Sequence, residues 1–124
     1  MRTGKKITGG IYHKQRKKKK HELPGQPRVV KLGEEKKKEI RGRGGNVRVV
    51  LLSTNIANVY NRKTGKCEKV KIKNVLETPP NRFLARQNVL VKSGIIETEK
   101  GKAKITNRPS QEGCVNAVLI EEDD

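Results

Sequence analysis

The chain has 124 residues, enough for one domain or one domain with a tail, and its 30 Lys and Arg stand against 13 Asp and Glu, a formal net charge of +17. A monomer so imbalanced repels itself and is expected beside a polyanion. No apolar run approaches the ~20 residues of a transmembrane helix, no apolar segment follows the basic start as a secretory leader needs, and there is no Trp to seat an interfacial helix, so no membrane partner is expected and the location is expected to be cytoplasmic.

Residues 1–46 hold 16 of the Lys and Arg and only 4 of the acids. Their apolar residues, Ile7, Ile11, Leu23, Val29, Val30, Leu32 and Ile40, are scattered. Gly9-Gly10, Pro24-Gly25, Pro27 and Gly42 to Gly45 punctuate the segment, and the like-charge run Lys17 to Lys20 opposes a helix through repulsion. Such a stretch buries too little apolar area to offset its ordering entropy. It is expected to be a basic RNA-binding arm, disordered when free, with its boundary at residue 46.

Residues 47–120 carry β patterning. Val47 to Thr54 is a strand rich in β-branched and aliphatic residues, and Ile56 to Tyr60 is another, with Asn55 as a kink between them. Asn61 to Lys66 is a hairpin loop, after which Val70 and Ile72 alternate with lysines in a half-buried strand. Thr78-Pro79-Pro80-Asn81 breaks the chain, and Asn81 to Gln87 allows one helical turn. Val89 and Val91 are assigned to a further strand, then Ile95-Ile96, the turn Glu99 to Lys102, and the alternation of Ala103 and Ile105. Arg108 to Gly113 is a loop, and Val115, Ala117 and Leu119 mark the last strand before the acidic tail 121–124. About six short strands separated by turns predict an all-β fold. Closure into a small antiparallel β-barrel removes exposed edges, so a closed or nearly closed barrel is favoured over a sandwich.

The residues offer little to catalysis. Both histidines, His13 and His21, fall in the arm, and no Gly-rich phosphate loop with a Lys-Ser/Thr ending exists. Cys67 and Cys114 match no zinc spacing and are expected to be small buried hydrophobes. Glu97, Glu99 and Glu112 are conceivable nuclease ligands, but surface carboxylates balancing nearby lysines account for them better. No enzyme activity, cofactor, metal or small-molecule substrate is expected. Three aromatics, Tyr12, Tyr60 and Phe83, cannot build a base-stacking platform, which leaves phosphate contact by Lys and Arg. The candidate contacts are Arg2, Lys5, Lys6, Lys14, Arg16, Lys17, Lys18, Lys19, Lys20, Arg41 and Arg43, with Arg108 on the barrel. Gly9, Gly10, Gly44 and Gly45 would let the backbone approach RNA closely. Arg41 to Gly45 can also serve as a flexible joint between arm and barrel.

Arg2-Thr3-Gly4-Lys5-Lys6-Ile7-Thr8-Gly9-Gly10 and Gly44-Gly45-Asn46, then Lys92 to Thr98, Gly101 to Ala103, Thr106 to Gly113 and Val115 to Leu119 follow one another in order. Together these stretches resemble the eS8 family of ribosomal small-subunit proteins in its short archaeal form. Thr78 to Asn81 and Ser110 depart from the family's pattern in loops, and the long insertion of eukaryotic members is absent. The resemblance implies a six-stranded β-barrel with basic extensions threaded into small-subunit rRNA, neighbouring small-subunit proteins as partners, and a structural part in translation without catalysis. A free ribosome-assembly factor or RNA chaperone of the same fold is the rival reading.

Overall fold

Strand pairing begins well before residue 46. The computed structural model describes residues 4–13 and 15–120, so Arg2, Lys14 and the acidic tail 121–124 lie outside the described residues. β1 (Lys31–Leu32) runs parallel to β3 (Val47–Thr54), and β2 (Lys36–Arg41) runs antiparallel to β3, giving a three-stranded sheet in the order β1-β3-β2. The expected boundary at 46 therefore falls inside a hairpin of this sheet. The apolar residues that looked scattered supply the reason: Val30 is buried at 2 % exposure and Leu32 packs against the core, two positions on, as strand alternation requires.

The second unit is a closed barrel of five strands: β4 (Ile56–Asn61), β5 (Lys66–Glu77), β6 (Ile95–Thr98), β7 (Gly101–Ile105) and β8 (Asn116–Leu119). Closure comes from β4 and β8, which pair in parallel from Asn58↔Asn116 to Tyr60↔Val118; the other barrel pairs are antiparallel. The 12-residue β5 serves both neighbours, pairing with β4 along its first half and β6 along its second. Two register shifts in the second half, between Ile72 and Asn74 and between Val75 and Glu77, bend it around the barrel.

The six-stranded antiparallel barrel expected from the sequence is thus corrected to five strands with one parallel seam, beside a three-stranded sheet. Two features account for the difference. At Asn55 the chain leaves one sheet and enters the other, so β3 and β4 do not share a barrel. The Val89–Val91 stretch makes one isolated bridge, Lys31↔Val89, and no ladder. It is bounded by Asn88 at φ 53° and Ser93 at φ 67°, and left-handed backbone at both ends leaves it too short to be a strand.

Local chemistry sets the connections. Asn61 Oδ1 accepts from the Lys63 amide at 2.9 Å to turn the β4–β5 hairpin, and Gly65 takes φ 66°. Asn81 caps the short helix α1 (Arg82–Arg86), accepting from the Phe83 amide at 3.0 Å. The loop expected over 108–113 contains one helical turn, α2 (Pro109–Glu112), with Pro at its start and Gly113 at φ 73° closing it.

Leu51, Val59, Val70, Ile72, Val75, Ile96, Ile105 and Val115 fill the core, joined by Val30 and Leu90 from outside the barrel strands. Among the described residues no buried side-chain nitrogen or oxygen lacks a hydrogen-bond partner. Cys67 corrects the expectation of a buried thiol: it is exposed, because Lys66 to Lys69 form the end of the β4–β5 hairpin beyond the core. Cys114 is half-buried.

Candidate nucleic-acid interface

The basic side chains named from the sequence are all exposed where the structure describes them: Lys5, Lys6, Arg16, Lys17 to Lys20, Arg41, Arg43 and Arg108. They fall into four places.

The first is a small hairpin at residues 4–12. Lys5 bridges Ile11, the Lys6 amide donates to the Gly10 carbonyl at 2.7 Å, and the Tyr12 amide donates to the Gly4 carbonyl at 3.2 Å. Gly9 sits at φ 81°, a conformation the turn requires and side chains resist, whereas Gly10 has no positive φ. The Lys6 ammonium lies 5.5 Å from the centroid of the Tyr12 ring, a cation–π contact.

The second holds the lysine run. Arg16 grips Glu22 with both guanidinium nitrogens, at 2.8 and 2.6 Å, and the Lys19 amide donates to the same carboxylate at 2.9 Å. The Arg16 guanidinium, then the Lys19 amide, hold the Glu22 carboxyl below its usual range, and Glu22 in turn raises the Arg16 pKa. Beside this clamp Lys17 to Lys19 are irregular and Lys20 opens a single 3-10 turn, Lys20–Glu22, so the four like charges form no α-helix. Arg16 differs from the other candidates: in this arrangement its charge is already matched by a carboxylate.

The third is the β2–β3 hairpin. The Gly42 amide donates to the Asn46 carbonyl at 2.6 Å, and Gly44 and Gly45 sit at φ 76° and 80°. Arg41 to Gly45 is therefore the tight end of a hairpin, which corrects its reading as a flexible joint. Arg43 stands at the tip and Arg41 opposite Val47. Lys36, Lys37 and Lys38, absent from the candidates above, extend this exposed basic surface along β2; Glu35 pairs with Lys37 at 2.5 Å, which lowers the Glu35 pKa. Their signal was the run Lys36-Lys37-Lys38 itself, which the arm reading absorbed as bulk charge.

The fourth is the Arg108 loop. Asn107 is buried and fully used: its Nδ2 donates to Glu112 Oε2 at 3.0 Å and to the Cys114 carbonyl at 2.8 Å, and its Oδ1 accepts from the Asn116 amide at 3.0 Å. This fixes the loop and points to a structural part for Glu112. Arg28 Nε donates to Ser110 Oγ at 3.3 Å, which brings the segment before β1 against the loop. Arg28 and Lys92 join Arg108 around one cleft; the 79 residues of chain between Arg28 and Arg108 hid that grouping from the sequence.

The outward face of β5 adds Lys69, Lys71 and Lys73. Glu97 lies directly across from Lys102 in the β6–β7 ladder, and Lys100 pairs with Glu68, whose pKa it lowers. Among the described residues no group of three or more His, Cys, Asp and Glu side chains is placed to hold a metal ion, and no helix is long and apolar enough to cross a membrane.

Comparison with known proteins finds similarity along nearly the whole chain. The family model described as Ribosomal protein S8e matches residues 1–120. The chain is 47 % identical over 120 residues to the small ribosomal subunit protein eS8 of Nanoarchaeum equitans, covering 97 % of this chain and 94 % of that one. It is 47 % identical over 117 residues to the eS8 protein of Methanocorpusculum labreanum, with 94 % of each covered, and 45 % identical over 119 residues to that of Sulfurisphaera tokodaii, with 95 % and 93 % covered. With a matching family model from residue 1 to 120 and an exposed basic surface on a small β fold, the chain belongs to the ribosomal protein S8e family.

Proposed function

We propose that the protein is a structural constituent of the small ribosomal subunit that binds rRNA by phosphate contacts and thereby supports translation. The observation that carries this reading is the family match, which spans both the basic N-terminal segment and the barrel. Membership in this family implies a structural component in the cytoplasmic ribosome and no enzymatic activity. The barrel and its three-stranded sheet dock as one rigid body. Residues up to about 24, none of whose described side chains is buried, thread between RNA helices and order there. Lys5, Lys6, Lys17 to Lys20, Arg41, Arg43 and Arg108 neutralise phosphates, with Arg2 and Lys14 in the same role. Arg16 contributes once its grip on Glu22 exchanges for a phosphate. Gly9, Gly10, Gly44 and Gly45 let the backbone approach RNA, since none carries a side chain to hold it off. Other small-subunit proteins are neighbours, and no small-molecule substrate is involved.

Sedimentation through a high-salt wash tests this reading against a free assembly factor or RNA chaperone. A structural constituent stays on washed subunits in about one copy each. Release into the supernatant, or presence only on immature particles, would favour the factor.

A further inference from the structure

The cleft beside Arg108 is built differently from the rest of the basic surface. It has a volume of about 490 Å³, inside the ~300–1,000 Å³ range of small-ligand sites. Its floor is apolar, with Val30 and Leu90 each 2 % exposed, and Pro27 and Pro109 also line it. Arg28, Lys92 and Arg108 line it, and among the described residues lining it none is acidic. Gln26 and Gln111 add amide groups that both donate and accept.

We propose that this cleft takes one unpaired RNA nucleotide, with its base against the apolar floor and its phosphate on Arg28, Lys92 and Arg108. The proposal rests on the RNA-binding reading above and names the ligand of one site within it. A phosphate alone has no use for an apolar floor; exposed lysines elsewhere serve it as well. A base does: it brings an apolar face and a hydrogen-bonding edge, and the cleft offers an apolar surface with two amides. A base inside a duplex cannot reach such a recess, because A-form helices present their edges in grooves and keep their faces stacked. The nucleotide must therefore be unpaired.

The site is preformed. The Leu90 amide donates to the Val30 carbonyl at 2.8 Å across the floor. The Asn107 bonds hold the Arg108 loop, and Arg28 is tethered to Ser110. Little ordering is left to be done on binding, which favours affinity per contact.

The test uses the full chain and two RNA hairpins of equal phosphate number. One carries a single unpaired 2-aminopurine and the other is fully paired with the same base in the stem. The expected result is about tenfold tighter binding of the unpaired form, in keeping with the contribution of one well-held base. The 2-aminopurine emission should also rise on binding, because the base leaves the RNA stack for a cleft lined by no aromatic side chain. Ser110→Leu keeps the charge, fills the cleft mouth and releases Arg28; it should abolish the preference and leave affinity for the paired hairpin within about twofold, as distant phosphate contacts are untouched. Arg28→Ala should weaken the unpaired form more than the paired one. Circular dichroism confirms that each variant is folded. Equal binding of both hairpins, unchanged emission, or a preference that survives Ser110→Leu would overturn the cleft proposal while leaving RNA binding in place. Failure to bind either hairpin would contradict the RNA reading itself.

Discussion

Leu90 donates its backbone N–H to the carbonyl of Val30 at 2.8 Å, and both side chains are 2 % exposed. The Leu32 amide likewise donates to the Asn88 carbonyl at 2.9 Å. The segment before β2 is thus laid between β3 and the 88–90 stretch, part of the folded body although its composition is that of the basic arm. Where the body begins is a question of stability, and it can be measured.

Deleting residues 1–28 should leave the urea midpoint nearly unchanged, since no side chain described before Val30 is buried. Deleting residues 1–46 removes β1, β2 and Val30 and should lower stability severely or prevent folding. Val30→Ala alone should cost about 1.5–3 kcal/mol, the range for a fully buried aliphatic side chain. Amide exchange adds a residue-level check: Leu32 and Leu90 protected, residues 15–24 exchanging freely when no RNA is present. Equal stability of the two truncations would show that the fold begins after 46.

Asn107 joins the ends of the Arg108 loop through three hydrogen bonds. Asn107→Leu strands the Cys114 carbonyl and the Asn116 amide and should cost about 2–3 kcal/mol, because a buried polar group without a partner loses its full solvation. Thermal or urea unfolding reads the loss. A change below about 0.5 kcal/mol, the usual size for an unremarkable surface site, would mean that water replaces these bonds.

Much of this was legible beforehand. Alternation at Val70 and Ile72, at Ala103 and Ile105, and at Val115, Ala117 and Leu119 announced which residues face the core; the first six are buried and Leu119 packs against the core half-buried. Turn chemistry placed the breaks at Asn61 to Lys66, Thr78 to Asn81 and Glu99 to Lys102, the last two residues of which the structure gives to β7. What escaped was non-local. Val30 and Leu32 are only two alternating residues in a basic stretch, and their partners at Thr54, Asn88 and Leu90 are remote in sequence. The parallel β4–β8 seam and the grouping of Arg28, Lys92 and Arg108 depend on closure, which no local pattern encodes. Val89 and Val91 misled because β-branched composition was read without the left-handed Asn88 and Ser93 on either side.

Acid should weaken the fold in a defined direction. Lys37 lowers Glu35 and Lys100 lowers Glu68, each from an ordinary value near 4.5. A carboxylate depressed in the folded state contributes stability above its ordinary value and loses it as pH falls through the depressed one. The urea midpoint should therefore be flat with respect to these groups from pH 8 to about 5.5 and decline below about 4.5. Glu68→Gln should reduce that decline only slightly, since its pair is exposed and screened. A rise in stability on acidification would contradict the assignment.

The lysine run should act as a sum. Lys18→Ala alone should change RNA affinity little, while replacing Lys17, Lys18, Lys19 and Lys20 together should cause a much larger loss, roughly the total of the singles if the sites are independent. Glu97→Gln and Glu99→Gln should leave binding intact or raise it slightly, because each removes a negative charge. Titrations with RNA integrity followed on a gel read both. RNA cleavage stopped by one substitution would replace the structural reading with an enzymatic one.

The central claim is that many phosphate contacts, shared between the N-terminal segment and the folded body, hold the protein on rRNA. Its most direct measurement is affinity for a small-subunit rRNA fragment against salt concentration, for the full chain and for a chain lacking residues 1–22. The full chain should show log K falling against log salt with a slope near −0.9 for each duplex phosphate neutralised, about −5 to −9 for ~6–10 contacts. The shortened chain, without Lys5, Lys6 and Lys17 to Lys20, should bind more weakly with a distinctly shallower slope. Identical slopes would place the ionic contacts on the folded body alone, and a slope near zero for the full chain would contradict phosphate binding altogether.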